Sequence, residues 1–254
     1  MLFRNKRLDE TFSFVSKSDF DIFCLQEVPG SFLPRLKELP CHIAYASDME
    51  RLFPYRPIMT YNVILSRHEI TNQQAIPFPD YQGILPLRTR IAVRLLRRAH
   101  FSKIRNRNGL YADLHTPYGE IRVFNLHLVL AHPNWRLKEF ERAMIERTPG
   151  RPTIVCGDFN IIESPRVSIL NWAFGGSIMD ALRYSRERTT IEKHFVKYEL
   201  TNPLAGSRTH PLSRSQLDHI LLSRHLSATS ARVLPERHGS DHRPICVRVL
   251  EQKA

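Results

Sequence analysis

The chain has 254 residues and a mass of 29.6 kDa, with 42% hydrophobic and 24% charged residues. That is enough chain to bury a core without disulfides or a structural metal, and the composition excludes disordered and collagen-like classes. The 37 Lys and Arg against 25 Asp and Glu leave +12, which favours a polyanionic partner and says nothing about fold.

Residues 8–18 have Leu8, Phe12 and Val15 on one face of an amphipathic helix. Residues 21–28, DIFCLQEV, read as a buried strand stopped by Pro29-Gly30. Helix is expected over 31–39, and strands over 41–46 and 58–66. In 88–98, Arg88, Arg90, Arg94 and Arg98 alternate with Ile91, Val93 and Leu95, so period two predicts a strand with one basic face. The basic segment 100–109 reads as an exposed loop. A hairpin is expected from 109–115 and 120–129, then a helix over 134–147 and a short buried strand at 153–157. Ser164-Pro165 signals a helix over about 166–173. Three strands close the chain at 217–223, 229–234 and 244–250. No linker-like stretch divides these elements, so one α/β domain over 1–254 is expected. No apolar run reaches the roughly 18 residues of a membrane span. Cys24, Cys41, Cys156 and Cys246 form no CxxC pair and read as small buried hydrophobes in a reducing, cytoplasmic compartment.

Polar residues follow or interrupt apolar runs at five places, where an α/β scaffold presents reactive groups. Glu27 closes DIFCLQEV, and a carboxylate there needs a partner such as a hard cation. His127 shares a strand face with Asn125 and, taken alone, reads as a hydrogen-bonded core histidine before it reads as a catalyst. VCGDFN puts Asp158 and Asn160 two apart, either an Asx turn or a carboxylate and an amide facing one pocket. Asp218 is flanked by aliphatics and is expensive to bury without a donor, while its neighbour His219 is expected to be structural. Asp241-His242 sits in a turn before the last strand, where a turn and a solvated imidazole are the simpler reading.

Taken together, DIFCLQEV, YNVILSR, FNLHL, VCGDFN, QLDHILLS and GSDHRPI resemble, in order and spacing, the endonuclease/exonuclease/phosphatase superfamily of metal-dependent phosphodiesterases. The resemblance spans residues 21–247. It implies a four-layer α/β/β/α sandwich of two packed mixed sheets flanked by helices. It implies that Glu27 ligates Mg²⁺ or Mn²⁺ with Asp241 near the same cation. By the same resemblance, His242 contacts the scissile phosphate or acts as acid or base, with Asp218 fixing its tautomer. Asp158 aligns or deprotonates the attacking water, and Asn160 holds a phosphate oxygen. His127 matches the deoxyribonuclease-I-like and sphingomyelinase-like branches, where it donates to the phosphate or assists the leaving oxygen. Members also begin with a strand ending in Asn ahead of the first helix. Here the helix is reached by about Leu8, Asn5 is not assigned that role, and an upstream strand is expected to be missing.

The expected activity is therefore hydrolysis of phosphodiester or phosphomonoester bonds by an endo- or exonuclease. A phospholipid or phosphoinositide phosphohydrolase and a catalytically impaired polyanion-binding protein are the alternatives. The expected partner is nucleic acid, with Arg90 and Arg94 on its phosphates. An anionic phospholipid would suit the same arginines. A monomer is expected. Neutralising Arg94 and Arg98 should flatten the salt dependence of nucleic-acid binding in a filter-binding titration, and an unchanged slope would make that segment a bystander.

Overall fold

The computed structural model of the chain describes residues 5–52, 57–80, 87–89, 91, 103–117, 119–130, 132–165, 168–173, 175–183 and 185–251. The described chain opens with helix α1 (Asn5–Lys17), strand β1 (Ile22–Pro29), a 3₁₀ turn and the short α2 (Leu33–Leu36). Strands β2 (His42–Leu52), β3 (Pro57–Ser66), β4 (Glu69–Pro77), β5 (Lys103–Arg105), β6 (Asn108–Thr116) and β7 (Gly119–His127) follow. Helix α3 (Pro133–Met144), strand β8 (Thr153–Asp158) and helices α4 (Ile169–Ala173), α5 (Ile178–Leu182) and α6 (Ser185–Lys197) come next. Strands β9 (Leu200–Thr201), β10 (Asp218–Ser223), β11 (Leu226–Val233) and β12 (Ile245–Glu251) complete it.

Among the described residues there are three sheets, in the orders β1-β3-β2-β5, β4-β6-β7-β8-β10-β9 and β11-β12. The two larger ones stack face to face and the helices lie outside, a mixed α/β sandwich as expected from the sequence. The central strands β6, β7 and β8 of the six-stranded sheet are buried along most of their length, whereas its edge strand β4 is largely exposed. The inner face of that sheet packs Leu110, Ala112, Leu114, Val123 and Leu222 against Ala44 and Ile64 of the opposite sheet. Its outer face carries Phe124, Leu126, Phe140 of α3, Phe159 and Phe195 of α6. Leu8, Phe12 and Val15 of α1 cover Phe23, Leu25 and Val28 of β1.

Among the described residues, β1 pairs only with β3 and β12 only with β11. Across the sandwich, β2 lies over β4 and β6, β3 over β6 and β7, and β1 over β7 and β8. The next described strands, β12 and β11, lie over β10. Strand β1 is half-buried along Ile22–Glu27 although it is largely apolar, whereas every residue of β8 is buried. Leu87–Thr89 and Ile91 are helical, and Arg88 donates to the carbonyls of Trp172, Gly175 and Gly176.

Two sequence expectations need correction. Segment 100–109 is not a solvated loop where it is described. Residues 103–105 are strand, Arg105 Nε binds Glu50 Oε2 at 2.6 Å, and Arg107 Nη1 binds the buried Glu139 at 2.9 Å. The strand expected over 88–98 begins as helix, with Arg88 satisfying carbonyls beyond the end of α4. The rest of that stretch, Arg90, Arg94 and Arg98 included, lies outside the described residues.

The step that positions the chemistry is the parallel pairing of β7 with β8. It sets Leu126 beside Gly157 and His127 beside Asp158. Gly157 has φ +135°, and a Cβ there would stand 1.8 Å from the Leu126 carbonyl oxygen. Backbone cannot yield as a side chain can, so only glycine fits. Gly157→Ala should lower stability by more than about 3 kcal/mol in thermal or denaturant unfolding, if the variant folds at all. A near-neutral result would contradict this register.

Candidate active site

The ends of three neighbouring strands build the centre. Asp158 ends β8, with His127 beside it in register on β7 and Asp218 beside it at the start of β10. Antiparallel pairing explains why one carboxylate closes its strand and the other opens one. Asp158 Oδ1 accepts the Asn160 backbone N–H at 2.8 Å, and Asn160 Nδ2 donates to Leu128 O at 2.8 Å. Asn160 sits at φ 52°, a left-handed conformation that asparagine tolerates. The Asx turn and the functional pocket are thus one feature, because the turn fixes the Asp158 carboxylate.

Two Asp–His pairs flank Asp158. His242 Nδ1 lies 2.8 and 3.1 Å from the Asp218 carboxylate oxygens. His127 Nδ1 lies 3.0 and 3.2 Å from those of Asp48. His127 Nε2 is 3.9 Å from Asp158 Oδ2. Each aspartate holds the proton on Nδ1 and so aims Nε2 away from itself. Asp48 is the residue that sequence reasoning missed. It lies on β2 at a register shift between Ser47 and Met49, is 0% exposed, and accepts from Thr60 Oγ1 at 3.3 Å. Its signal was an acid in the apolar run HIAYASDM, beyond the strand end expected at residue 46.

The turn carrying Asp241 and His242 is tied down from two sides. Arg243 N–H donates to Thr209 O at 2.8 Å, and Thr209 Oγ1 accepts from the N–H groups of Leu217 and Asp218, both at 3.0 Å. Glu27 lies in a β-bulge between Leu25 and Val28 at φ 53°. Asn125 pins that bulge to the opposite sheet. Its Nδ2 donates to Leu25 O and Val63 O, both at 2.9 Å, and its Oδ1 accepts from Gln26 Nε2 at 2.6 Å. A bulge re-aims the side chain that follows it. His219 points the other way, fully buried, stacked on Phe159 with ring centroids 4.7 Å apart.

Burial opposes charge on His127, but Asp48, Asp158 and Glu27 outweigh it and lift its pKa to about 9. For His242, burial is outweighed by the Asp218 hydrogen bond and by Asp158 and Asp241, giving about 10. Burial raises Asp158, with His242 pulling it down, Asp218 pushing it up and His127 pulling it down, to about 6. At neutral pH the centre therefore presents two imidazoliums beside an ionised carboxylate of appreciable basicity.

Ligand atoms of Asp158, Asp218 and His242 lie within 4.8 Å of one another, as do those of His210, Asp241 and His242, while Glu27 lies outside both groups. Asp241 Oδ1 is buried with no hydrogen-bond partner. An orphaned carboxylate oxygen at the edge of an anionic cluster fits a bound cation. Arg88, at the described start of the basic stretch, is spent on carbonyls and takes no part in this centre.

Residues 2–242 match the model of the Endonuclease/Exonuclease/phosphatase family. No curated protein matches the chain. An endonuclease/exonuclease/phosphatase from Beutenbergia cavernae DSM 12333 superposes with a TM-score of 0.64 at 15% identity, covering 99% of this chain and 67% of that one. D. rerio TDP2, complexed with single strand DNA product, gives 0.62 at 13% identity over 97% and 92%. The 3′ phosphatase NExo from Neisseria, bound to product DNA hairpin, gives 0.57 at 16% over 96% and 94%.

In Asp48→Asn, His127 should titrate roughly one to three units below the native value of about 9 when followed by NMR of the ring protons. An unshifted titration would remove Asp48 as the source of its charge.

Proposed function

Because the chain belongs to the endonuclease/exonuclease/phosphatase family, we propose that it is a divalent-cation-dependent phosphoesterase acting on nucleic acid by in-line attack of water. The observation that carries this reading is Asp158 placed beside His127 and His242, each ring fixed by its own aspartate, the buried Asp48 and the half-buried Asp218. In this reading Asp158 takes the proton of the attacking water. His127 and His242 present Nε2–H to the phosphoryl oxygens and balance the charge that grows in the transition state. Asp48 and Asp218 accept from Nδ1–H, hold both rings protonated and keep Nε2–H aimed away from themselves. Asn160 retains one amide hydrogen beyond its bond to Leu128 O, which can hold a phosphate oxygen. Glu27 and Asp241 would hold Mg²⁺ or Mn²⁺, and such an ion supplies charge neutralisation at the phosphoryl group. Nucleic acid is preferred as substrate because two structural neighbours are bound to DNA products.

The test is hydrolysis of bis-p-nitrophenyl phosphate, single-stranded DNA and RNA, with Mg²⁺ or Mn²⁺ and with EDTA. Cation-dependent cleavage is expected. Asp158→Ala and His242→Ala should each lower kcat by at least about 100-fold with an unchanged circular dichroism spectrum. Full activity in either variant would overturn the assignment.

A further inference from the structure

The second close group, His210, Asp241 and His242, includes a residue that the proposed hydrolysis does not use. We propose that these three side chains form a site for a borderline transition-metal cation such as Zn²⁺, overlapping the catalytic centre. Their ligand atoms lie within 4.8 Å of one another, and the two imidazole centroids are 4.9 Å apart. The backbone fixes this juxtaposition before any metal arrives. Arg243 N–H donates to Thr209 O at 2.8 Å, joining the residues next to His242 and His210. A bridge between His210 and Ser215 holds the other side of that loop.

Each ring has a second-sphere partner on Nδ1, the arrangement typical of metal-bound histidines. His242 Nδ1 is 2.8 Å from Asp218. His210 Nδ1 is 2.9 Å from Ser213 Oγ, which can accept its proton and leave a lone pair on Nε2. The other His210 tautomer takes the Ser213 backbone N–H on Nδ1 at 3.1 Å. Metal binding selects the first. The third donor is Asp241, whose buried Oδ1 has no hydrogen-bond partner. Two imidazoles and one carboxylate favour zinc, copper, iron or nickel over magnesium, which prefers oxygen donors and water. Zn–N and Zn–O distances of roughly 2.0–2.2 Å require the three side chains to draw in from their present spacing.

The consequence for catalysis rests on the phosphoesterase reading above. A cation on His242 Nε2 displaces the proton that would otherwise face the phosphate. Zn²⁺ then competes with Mg²⁺-supported turnover, and His210 is the member of the site whose loss separates the two effects.

The test uses the metals alone. Co²⁺ titrated into the full chain should develop visible d–d absorption that Zn²⁺ abolishes. His210→Ala should weaken Co²⁺ binding roughly 10-fold or more. The same variant should keep its Mg²⁺-supported hydrolysis and need correspondingly more Zn²⁺ for half-inhibition. His210→Asn, which keeps a polar side chain there, serves where His210→Ala does not fold. No visible band, or equal affinity in both variants and the native chain, overturns the site. If hydrolysis is absent throughout, the phosphoesterase reading fails and the Co²⁺ titration still decides this one.

Discussion

The centre depends on balancing buried charge. Asp48 and Asp158 are buried and Asp218 is half-buried, with His127 beside the first two and His242 on the third. Leaving any of them unpaired there would be costly. Two imidazoliums neutralise part of the cluster, and neither would hold its proton at neutral pH without the carboxylates. The arrangement is mutual, so the residues stand or fall together.

Much of this was legible in the sequence, for reasons that can be named. The β7, β8 and β10 positions follow apolar runs whose periodicity is clear, so His127, Asp158 and Asp218 announce themselves at the points where those runs meet polar residues. Asp48 does not. It sits in a strand longer than its apolar run, at a register shift that periodicity cannot reveal. His210 lies in an irregular loop with no pattern at all. In both cases the partner is distant in sequence: 79 residues separate Asp48 from His127.

The basic excess teaches a different lesson. Several arginines are structural counter-ions rather than a surface for polyanions. Arg122 forms a bidentate pair with Asp113 at 2.7 and 2.8 Å. Arg136, only 1% exposed, is held by Glu187 and by Asn171. Arg188 binds Glu163 at 2.7 Å. The planar fork of arginine suits such buried pairs better than lysine does, which gives part of the arginine content a reason within the fold. The arginine count therefore overstates the surface left for a phosphate backbone, while the net +12 is untouched by such pairs.

The centre draws its side chains from elements that share no continuous ladder. Asp241 and His242 lead into β12, whose hairpin with β11 shares no ladder with any other described strand. Glu27 and Asp48 belong to the four-stranded sheet, and His127, Asp158 and Asp218 to the six-stranded one. The hairpin is held by packing on β10 and by contacts such as the stacked Phe14 and His238 rings, 3.9 Å apart, rather than by a continuous hydrogen-bonded sheet. Such a unit can open below the free energy of global unfolding. The candidate site thus takes Asp241 and His242 from an element that can open locally, so its geometry depends on how that hairpin docks as well as on the sheets beneath it.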